Sequence, residues 1–385
     1  MPFTLQLLLD RRHKCDLASG NMKDISRKPD DAPRVGIVGT GFMGRVHARA
    51  ARMAGATIAG VAGSRLEKAQ EAGLGAARVF ASGDELIESG EIDLVHICTP
   101  NHLHAPFVLK ALSAGLAVVC EKPLAGDAMT AALMAGRAAE AGLVATVPFV
   151  YRFHAMVREA RERVARGDIG RISLIQGSYL QDWLLRADDD NWRVDPELGG
   201  PSRTFADIGS HWCDLAEFVT ADRIVSVCAQ TAIVQSSRAT NAPVVTEDVA
   251  TVQFRTASGA LGTLATSQVS PGRKNRLFLE ISGTEASLAF DQEQPELLWV
   301  GDRSGSRTLM RDPAILSAAA QPYSPLPAGH PQGYHDCFDA FVADTYAALR
   351  GEHRDGLPVF ADGARAAAIC EAVLTSARTG GWTEC

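Results

Sequence analysis

Lys122, Asp207 and His211 are the three side chains in this sequence whose types and placement point most clearly to chemistry. Asp207 and His211 stand at positions i and i+4, so on a helix they would share one face. A carboxylate placed in this way can fix the tautomer and orientation of a histidine that acts as a general base. The alternative is a structural Asp–His hydrogen bond. We expect no metal site, because no third ligand stands at a recognisable spacing.

Lys122 lies in the run Glu121-Lys122-Pro123, which directly follows an apolar segment predicted to be a strand. The run C-T-P-N-H-L-H at residues 98–104 follows another such segment. Because ligands bind beyond the carboxyl ends of the strands in a doubly wound sheet, both runs are candidates for cofactor contacts. We expect Lys122 to reach a nicotinamide ribose and a substrate hydroxyl together. The alternative is an ordinary surface lysine.

The run G-T-G-F-M-G at residues 39–44 predicts a dinucleotide site. β-Branched residues precede it and an Ala-rich segment follows it, as in a strand–turn–helix unit. Gly39 would allow the tight turn, Gly41 would leave room for a pyrophosphate, and Gly44 would let the helix pack on the strand. The helix N-terminus would offer free N–H groups to the phosphates. The predicted cofactor contacts are Gly39, Gly41, Phe42, Met43, Gly44, Ser64, Arg65, Thr99, Pro100, Asn101, His104, Glu121 and Lys122.

The end of the second predicted strand bears on the choice between NAD and NADP. About 20 residues after the glycines, an NAD site usually carries an acid that binds the ribose 2′-hydroxyl. Here the strand is followed by Gly63-Ser64-Arg65, without an acid. A small neutral residue beside an arginine suits a 2′-phosphate, so we favour NADP over NAD. The alternative is that Arg65 is a solvated residue in the first turn of a helix and that NAD is bound through other contacts.

Alternating strands and helices in residues 33–152 predict a Rossmann domain with a doubly wound parallel sheet. Its strands are expected near 35–38, 57–62, 94–98, 117–120 and 143–147, with helices at 104–114 and 127–141. Residues 153–385 are predicted to form an open-faced, mainly antiparallel sheet domain for substrate binding and oligomerisation. The expected strands there are 172–180, 224–234, 249–255, 261–269, 277–281 and 286–290, and the expected helices are 156–166, 207–219, 333–349 and 361–379.

The first 32 residues are predicted to be a disordered tail, or to precede a true start at Met22. Apolar residues come before Arg11-Arg12, which reverses the order found in a secretion signal. No apolar run approaches the length of about 20 residues that a membrane span needs. A net charge of −7 without a Lys/Arg block argues against nucleic acid as a partner. The eight cysteines are scattered without a C-x-x-C pair, which is typical of reduced thiols in a cytoplasmic protein.

Taken in order, the motifs G-T-G-F-M-G, C-T-P-N-H-L-H, E-K-P-L, Y-R-F and G-G-x(6)-D-I-G-S-H resemble those of the glucose–fructose oxidoreductase / inositol dehydrogenase / MocA family. The resemblance covers nearly the whole chain from Arg34. It implies NAD(P), a sugar or polyol substrate, and a homo-oligomer (a dimer or tetramer) formed through the second sheet. It also places the family's catalytic Lys, Asp and His on Lys122, Asp207 and His211. One departure is His154, which stands where the family often has a proline.

A narrower resemblance concerns the runs Y-L-Q-D-W-L-L at residues 179–185 and N-W-R at residues 191–193. They are similar to a subgroup that contains bacterial levoglucosan dehydrogenase. On this basis Gln181 and Trp183 are candidate sugar contacts, since an amide can bind hydroxyls while an indole stacks on a pyranose ring. Arg152, from the Y-R-F motif, is a third candidate for substrate binding. Packing in the core or at an interface is the alternative for the tryptophan.

Together these features predict an NAD(P)-dependent oxidoreductase that acts on a secondary hydroxyl of a sugar, anhydrosugar or cyclic polyol. His211 would take the hydroxyl proton, Asp207 would orient His211, and Lys122 would hold the alcohol oxygen. One alternative is a non-enzymatic NAD(P)-binding regulator of the same fold, which would not need these three side chains together. Another is a glycosidase-type enzyme that oxidises its substrate transiently, recycles its nicotinamide and releases no net NAD(P)H.

Overall fold

Six parallel strands with helices between them form the first sheet of the protein, for which a computed structural model describes residues 32–385. The spatial order β3-β2-β1-β4-β5-β6 reverses direction between β1 and β4, and ligands bind at such a switch point. The elements are β1 (Arg34–Val38), α1 (Phe42–Met53), β2 (Thr57–Ala62), α2 (Leu66–Glu71), β3 (Arg78–Phe80), α3 (Gly83–Glu88), β4 (Leu94–Ile97), α4 (His104–Ser113), β5 (Ala117–Cys120), α5 (Ala128–Ala141) and β6 (Ala145–Thr146).

Nine strands form the second sheet, in the order β14-β13-β12-β11-β7-β10-β9-β8-β15, and only the β7–β10 pair is parallel. Its elements are α6 (Ala155–Ala165), β7 (Ile172–Leu180), α7 (Pro196–Gly199), α8 (Ser210–Thr220), β8 (Ile224–Ala232), β9 (Val249–Thr256), β10 (Leu261–Ser267), β11 (Arg276–Gly283), β12 (Ser287–Asp291), β13 (Leu297–Asp302), β14 (Gly305–Met310), α9 (Tyr334–Leu349), α10 (Phe360–Thr379) and β15 (Thr383–Glu384). The prediction of a parallel sheet followed by a mainly antiparallel one is confirmed.

Alternation of buried and exposed residues along β9 shows how the second sheet uses its two faces. Buried Val252 and Phe254 join a core that contains Trp212 of α8 and Val373 of α10. The intervening side chains of β9 point to the other face and are exposed, namely Thr251, Gln253 and Arg255. An antiparallel sheet with one covered and one open face has this pattern.

Helices α9 and α10 connect the two parts of the fold. Phe338 and Phe341 of α9 pack in the same core as β1 and α1, so a helix close to the C-terminus covers one face of the first sheet. In α10, Phe360 packs against the first sheet and Val373 against the second. Distant parts of the chain thus share one core, and the boundary near residue 152 stays a prediction.

Several element boundaries differ from the predicted ones. Strand β6 has two residues instead of five, and β3, β13, β14 and β15 were not predicted. Strand β14 has no buried residue, so it lacks the hydrophobic alternation by which a strand is detected. The predictions of a tail over residues 1–32 and of a start at Met22 fall outside the described residues, apart from Ala32. Within the described range, no helix is long and apolar enough to span a membrane.

Candidate active site

A cleft of about 300 Å³ brings together Lys122 from the end of β5 and Asp207 and His211 from the segment that leads into α8. Lys122 belongs to the first part of the fold and the other two to the second. The sequence places Asp207 85 positions after Lys122, yet their side chains are in contact. The side chains around the cleft are Phe42, Met43, Glu121, Lys122, Pro148, Tyr151, Tyr179, Gln181, Arg193, Asp207, Ile208, His211, Asn275, Tyr334 and Phe338.

The glycine turn between β1 and α1 has the geometry expected of a phosphate-binding turn. Gly39 has a φ of +103°, and a Cβ there would lie 2.5 Å from the Cys98 carbonyl oxygen. A Cβ on Gly44 would collide with the Gly39 carbonyl oxygen. A Cβ on Gly41 would meet nothing within 4 Å, so this position opens onto free space. The three glycines therefore match the roles of turn, ligand clearance and helix packing.

The N-terminus of α1 is free to bind an anion. No side chain caps this end, and the first turn contains no acidic residue. The unpaired N–H groups and the partial positive charge of the helix are therefore not neutralised from within the described chain. Nearby, the hydroxyl of Thr99, two residues after β4, is buried and has no hydrogen-bond partner among the described residues. These features fit a dinucleotide.

The other predicted cofactor residues divide into two groups. Ser64 and Arg65 are exposed at the end of β2, and Arg65 starts α2 without a capping bond from its side chain. In contrast, the Asn101 amide donates to the Gly199 carbonyl at 2.7 Å. The ring of His104 lies 2.9 Å from the Pro123 carbonyl oxygen and 3.0 Å from that of Thr99. Asn101 and His104 thus hold the surrounding loops together, while Ser64 and Arg65 remain available to a ligand.

Asp207 is the centre of a charged cluster in the cleft. Lys122 Nζ donates to Asp207 Oδ1 at 2.5 Å and to its main-chain oxygen at 2.9 Å. Gln268 Nε2 donates to the other carboxylate oxygen at 2.7 Å, and Arg193 Nε lies 3.5 Å from Oδ1. Burial alone would raise the pKa of the Asp207 carboxyl, but Lys122 and Arg193 outweigh it and lower that pKa. Asp207 is therefore an anion that fixes Lys122 across the cleft.

His211 has an environment that keeps its ring neutral. Burial, and next the charge of Lys122, lower the pKa of His211 well below its usual value. The ring packs edge-on against Tyr151, with centroids 4.9 Å apart. Nδ1 of His211 is buried and has no hydrogen-bond partner in the described structure. A neutral imidazole with this placement can accept a proton from a bound hydroxyl.

The expected hydrogen bond from the ring of His211 to the Asp207 carboxylate is not formed in the described structure. Both carboxylate oxygens of Asp207 are bound by other side chains, Lys122 on one oxygen and Gln268 on the other. The carboxylate acts on His211 only through its charge. That charge raises the pKa of the imidazole, but by less than burial and Lys122 lower it. In this arrangement Asp207 orients Lys122, not His211.

A π-helical turn at Phe205–Gly209 carries Asp207 into α8. Such turns insert one extra residue and are frequent at functional sites. Gly209 permits this one, since a Cβ there would meet the Phe205 ring at 2.6 Å. The preceding loop is anchored by buried Glu247, which accepts the Ser202 hydroxyl at 2.7 Å and the Phe205 N–H at 2.9 Å. The i, i+4 spacing predicted the shared helix face, but not this distortion.

A second polar cluster lines the same cleft. The hydroxyls of Tyr151 and Tyr179 are 2.6 Å apart, and Tyr179 donates to Asn275 Oδ1 at 2.8 Å. Gln181 Nε2 donates to the same oxygen at 2.7 Å. Trp183 is 37% exposed, and its indole N–H donates to Gln181 Oε1 at 2.8 Å. The predicted Gln181 therefore lies in the cleft, whereas Trp183 supports it from the rim.

Sequence reasoning missed several residues of the cleft and placed one outside it. Tyr151, Tyr179 and Arg193 lie within the quoted motifs but were not selected as site residues. Asn275 in the cleft and Gln268 beside Asp207 belong to no motif, because a single amide in a strand or loop gives no local signal. Arg152 does not line the cleft. Its guanidinium forms buried ion pairs with Asp214 and with Asp362, the latter at 3.0 Å. Arg152 therefore joins α8 to α10, and its contact with substrate stays a prediction.

Two family models match consecutive parts of the chain. Residues 33–149 match the model described as oxidoreductase family, NAD-binding Rossmann fold, and residues 157–289 match the GFO/IDH/MocA C-terminal domain. A levoglucosan dehydrogenase from Pseudarthrobacter phenanthrenivorans is 32% identical to this chain, over 91% of this chain and 97% of its own length. The chain belongs to the GFO/IDH/MocA family of oxidoreductases. The resemblance inferred from the motifs is thus confirmed.

A further relative and a solved structure extend the comparison. Inositol 2-dehydrogenase 4 from Saccharopolyspora erythraea is 28% identical, over 91% of this chain and 95% of its own length. The solved structure of a levoglucosan dehydrogenase in complex with NADH and levoglucosan superposes with a TM-score of 0.86 at 30% identity. It covers 92% of this chain and 99% of that one. The first part of the fold is therefore a NAD-binding domain, whereas a preference for NADP over NAD is not established.

Proposed function

We propose that this protein is a dehydrogenase that oxidises a secondary hydroxyl of a sugar, anhydrosugar or cyclic polyol with NAD(P), and that it catalyses the reverse reduction. The observation that carries the proposal is the Lys122–Asp207 ion pair of 2.5 Å facing the neutral His211 in one cleft. The polar wall formed by Gln181, Tyr179 and Asn275 suits a ligand with several hydroxyls. Family members that are named for anhydrosugar and inositol substrates support this substrate class.

In the proposed mechanism, the alcohol oxygen is bound by Lys122 Nζ, which stabilises the negative charge that develops there. The hydroxyl proton passes to the neutral ring of His211, which acts as general base. Asp207 keeps Lys122 directed across the cleft by the contacts described above. The nicotinamide supplies the acceptor for the hydride. The glycine turn, the N-terminus of α1, Ser64 and Arg65 would hold the rest of the dinucleotide.

A dehydrogenase screen tests this function. The purified protein is incubated with sugars, anhydrosugars and inositols, with NAD and NADP in parallel, and the reduced cofactor is followed by absorbance. We expect steady formation of NAD(P)H with at least one member of this set. If NAD(P) binds tightly but no member is oxidised and no ketone is reduced, the regulator of the same fold takes the place of the enzyme. Substrate cleavage without net NAD(P)H would identify the glycosidase-type reaction.

For the cofactor we propose NADP, on the basis of the exposed Arg65 and the missing acid at the end of β2. Arg65→Ala is expected to weaken NADP binding by about tenfold or more, the usual value of one charge-assisted hydrogen bond, with little effect on NAD. Fluorescence titration with NADPH and NADH measures both. Lys68→Ala is the matched control, since it removes an exposed positive charge from the same helix. Equal effects of Arg65→Ala on both cofactors, or a strong NAD preference in the wild type, would contradict the proposal.

We also propose that the protein is a cytoplasmic homo-oligomer that associates through the open face of the second sheet. Leu174, Leu261 and Trp299 on β7, β10 and β13 are large apolar residues that remain exposed on this sheet. The cysteines in residues 32–385 are free thiols, as expected in a reducing compartment. A Leu261→Glu variant is expected to shift the protein to a smaller species in sedimentation velocity, and an unchanged sedimentation coefficient would rule out this face.

A further inference from the structure

Four buried titratable side chains form a continuous hydrogen-bonded chain behind Lys122, and the proposed mechanism does not use them. The Tyr346 hydroxyl lies 3.0 Å from His96 Nε2. Nδ1 of His96 lies 2.9 Å from Nδ1 of His47. Nε2 of His47 lies 2.9 Å from Glu121 Oε1. The other carboxylate oxygen, Oε2, accepts the main-chain N–H of Lys122 at 3.1 Å.

This Tyr346–His96–His47–Glu121 chain joins four elements of the fold. Tyr346 lies on α9, His96 on β4 and His47 on α1, and Glu121 directly follows β5. Exposure is 1% for Tyr346, zero for both histidines and 6% for Glu121. Burying so many polar groups is costly unless each of them is satisfied, so a fully connected chain sets a single relative position for the elements that carry it.

Only one direction of hydrogen bonding satisfies the whole chain. Burial alone would raise the pKa of Glu121, but the bond from His47 and nearby positive charges lower it, so Glu121 is a carboxylate that accepts from His47 Nε2–H. Burial, and next His47, lower the pKa of His96 well below its usual value, which keeps His96 neutral. Nδ1–H of His96 then donates to Nδ1 of His47, and Nε2 of His96 accepts from the Tyr346 hydroxyl. The pKa of that hydroxyl is raised by burial, so it keeps its proton. The opposite direction would leave the proton of Tyr346 without an acceptor among the described residues.

We infer that this buried chain is a positioning device for Lys122. It holds Glu121 in one orientation, Glu121 holds the main chain of Lys122, and the lysine side chain can then span the cleft to Asp207. The inference deepens the proposed function, on which it rests for the role of Lys122 at the alcohol oxygen. A displacement of about 1 Å at a catalytic group can cost 10²-fold in rate, so support of this kind has a measurable value.

Two variants of His47 distinguish the roles of its two ring nitrogens. His47→Gln places an amide near the position of Nε2 and keeps a donor for Glu121, whereas His47→Asn places an amide near Nδ1 and loses that donor. We expect His47→Asn to lower kcat by up to about 10²-fold, a larger change than in the Kd for NAD(P)H. His47→Gln is expected to recover most of this loss. If both variants keep wild-type activity per folded molecule, the chain supports only stability and the inference fails. An equal loss in both variants would also overturn it, because the donor to Glu121 would then not be what positions Lys122.

The reactivity of Lys122 gives a readout that does not depend on turnover. Amine acetylation followed by peptide mass spectrometry measures how firmly Asp207 holds the ammonium group. Labelling of Lys122 should be slow in the wild type and in His47→Gln, and several times faster in His47→Asn. If the wild type oxidises no sugar but this pattern holds, the proposed function fails while the positioning device stands. Unchanged labelling of Lys122 in His47→Asn would contradict the positioning role of the buried chain, even if the enzyme is active.

If His47→Asn does not fold, a variant of Tyr346, at the far end of the hydrogen-bonded chain, tests the same inference. Tyr346→Phe removes a single oxygen atom and leaves Nε2 of His96 without its donor. Faster labelling of Lys122 in this variant, with thermal unfolding still cooperative, would support transmission along the chain. Labelling at the wild-type rate would contradict it.

Discussion

Replacing His211 with alanine is expected to lower kcat by about 10²–10⁴-fold, the usual contribution of a general base. The fold and cofactor binding should persist, since the buried Nδ1 of this ring forms no hydrogen bond in the described structure. Steady-state kinetics with the best substrate from the screen, together with NAD(P)H titration and circular dichroism, measures all three properties. His154→Ala is a matched control, because His154 is a buried histidine that also packs on Tyr151 but does not line the cleft. That variant should lose stability more than kcat.

Asp207→Asn provides the companion measurement to His211→Ala. It keeps the shape of the side chain but removes the negative charge that fixes Lys122, so kcat should also fall. The two losses should not add in the double variant, because residues that act as one unit do not contribute independently. A wild-type rate in His211→Ala would show that another residue is the base. Full additivity would show that Asp207 and His211 act separately.

The pH profile checks the same assignment. A base must be deprotonated to act, and burial together with Lys122 lowers the pKa of His211 well below the usual value of 6.5. The acid limb of kcat/KM attributable to this group should therefore lie below pH 6.5, since this profile reports the free enzyme. A limb at or above pH 6.5 that disappears in His211→Ala would contradict the electrostatic environment described here.

Gly41→Val is expected to abolish NAD(P) binding while leaving the protein folded. The backbone at this position has a φ of −70°, which valine can adopt, and a Cβ there meets no atom of the described residues within 4 Å. The added side chain therefore occupies only the space where the pyrophosphate must approach. Fluorescence titration with NADPH and NADH, and a thermal melt, measure the two effects separately.

Gly136→Val is the control for Gly41→Val. Gly136 also has free space around its Cα, but it is exposed on α5, away from the glycine turn. This variant should bind the cofactor with wild-type affinity. Gly44→Ala should behave differently from both and unfold, because its Cβ would collide with the Gly39 carbonyl oxygen. Near wild-type NAD(P)H affinity in Gly41→Val would show that the dinucleotide is bound elsewhere.

The sequence by itself determined the features that depend on neighbouring residues. The glycine turn could be assigned because β-branched, glycine and alanine runs follow one another within about 20 positions, as in a strand–turn–helix unit. Strand β7 was predicted with both ends correct, and α9 and α10 to within one residue, because hydrophobic periodicity is a local signal. Lys122 could be placed at the ligand edge, since each strand of a parallel sheet ends on the same side.

Only the tertiary structure decided which distant side chains meet. Lys122 and Asp207 are 85 positions apart, so only the family resemblance grouped them and no spacing rule showed their contact. Arg152 and Asp362 are 210 positions apart, and no local pattern predicted their ion pair. For the same reason, the sequence did not predict that α9 covers the first sheet or that Asn275 joins two tyrosines at the cleft wall. Periodicity shows that a residue is buried or that a helix has an apolar face. The choice of partner depends on how whole elements pack, and packing brings together residues that share no local pattern.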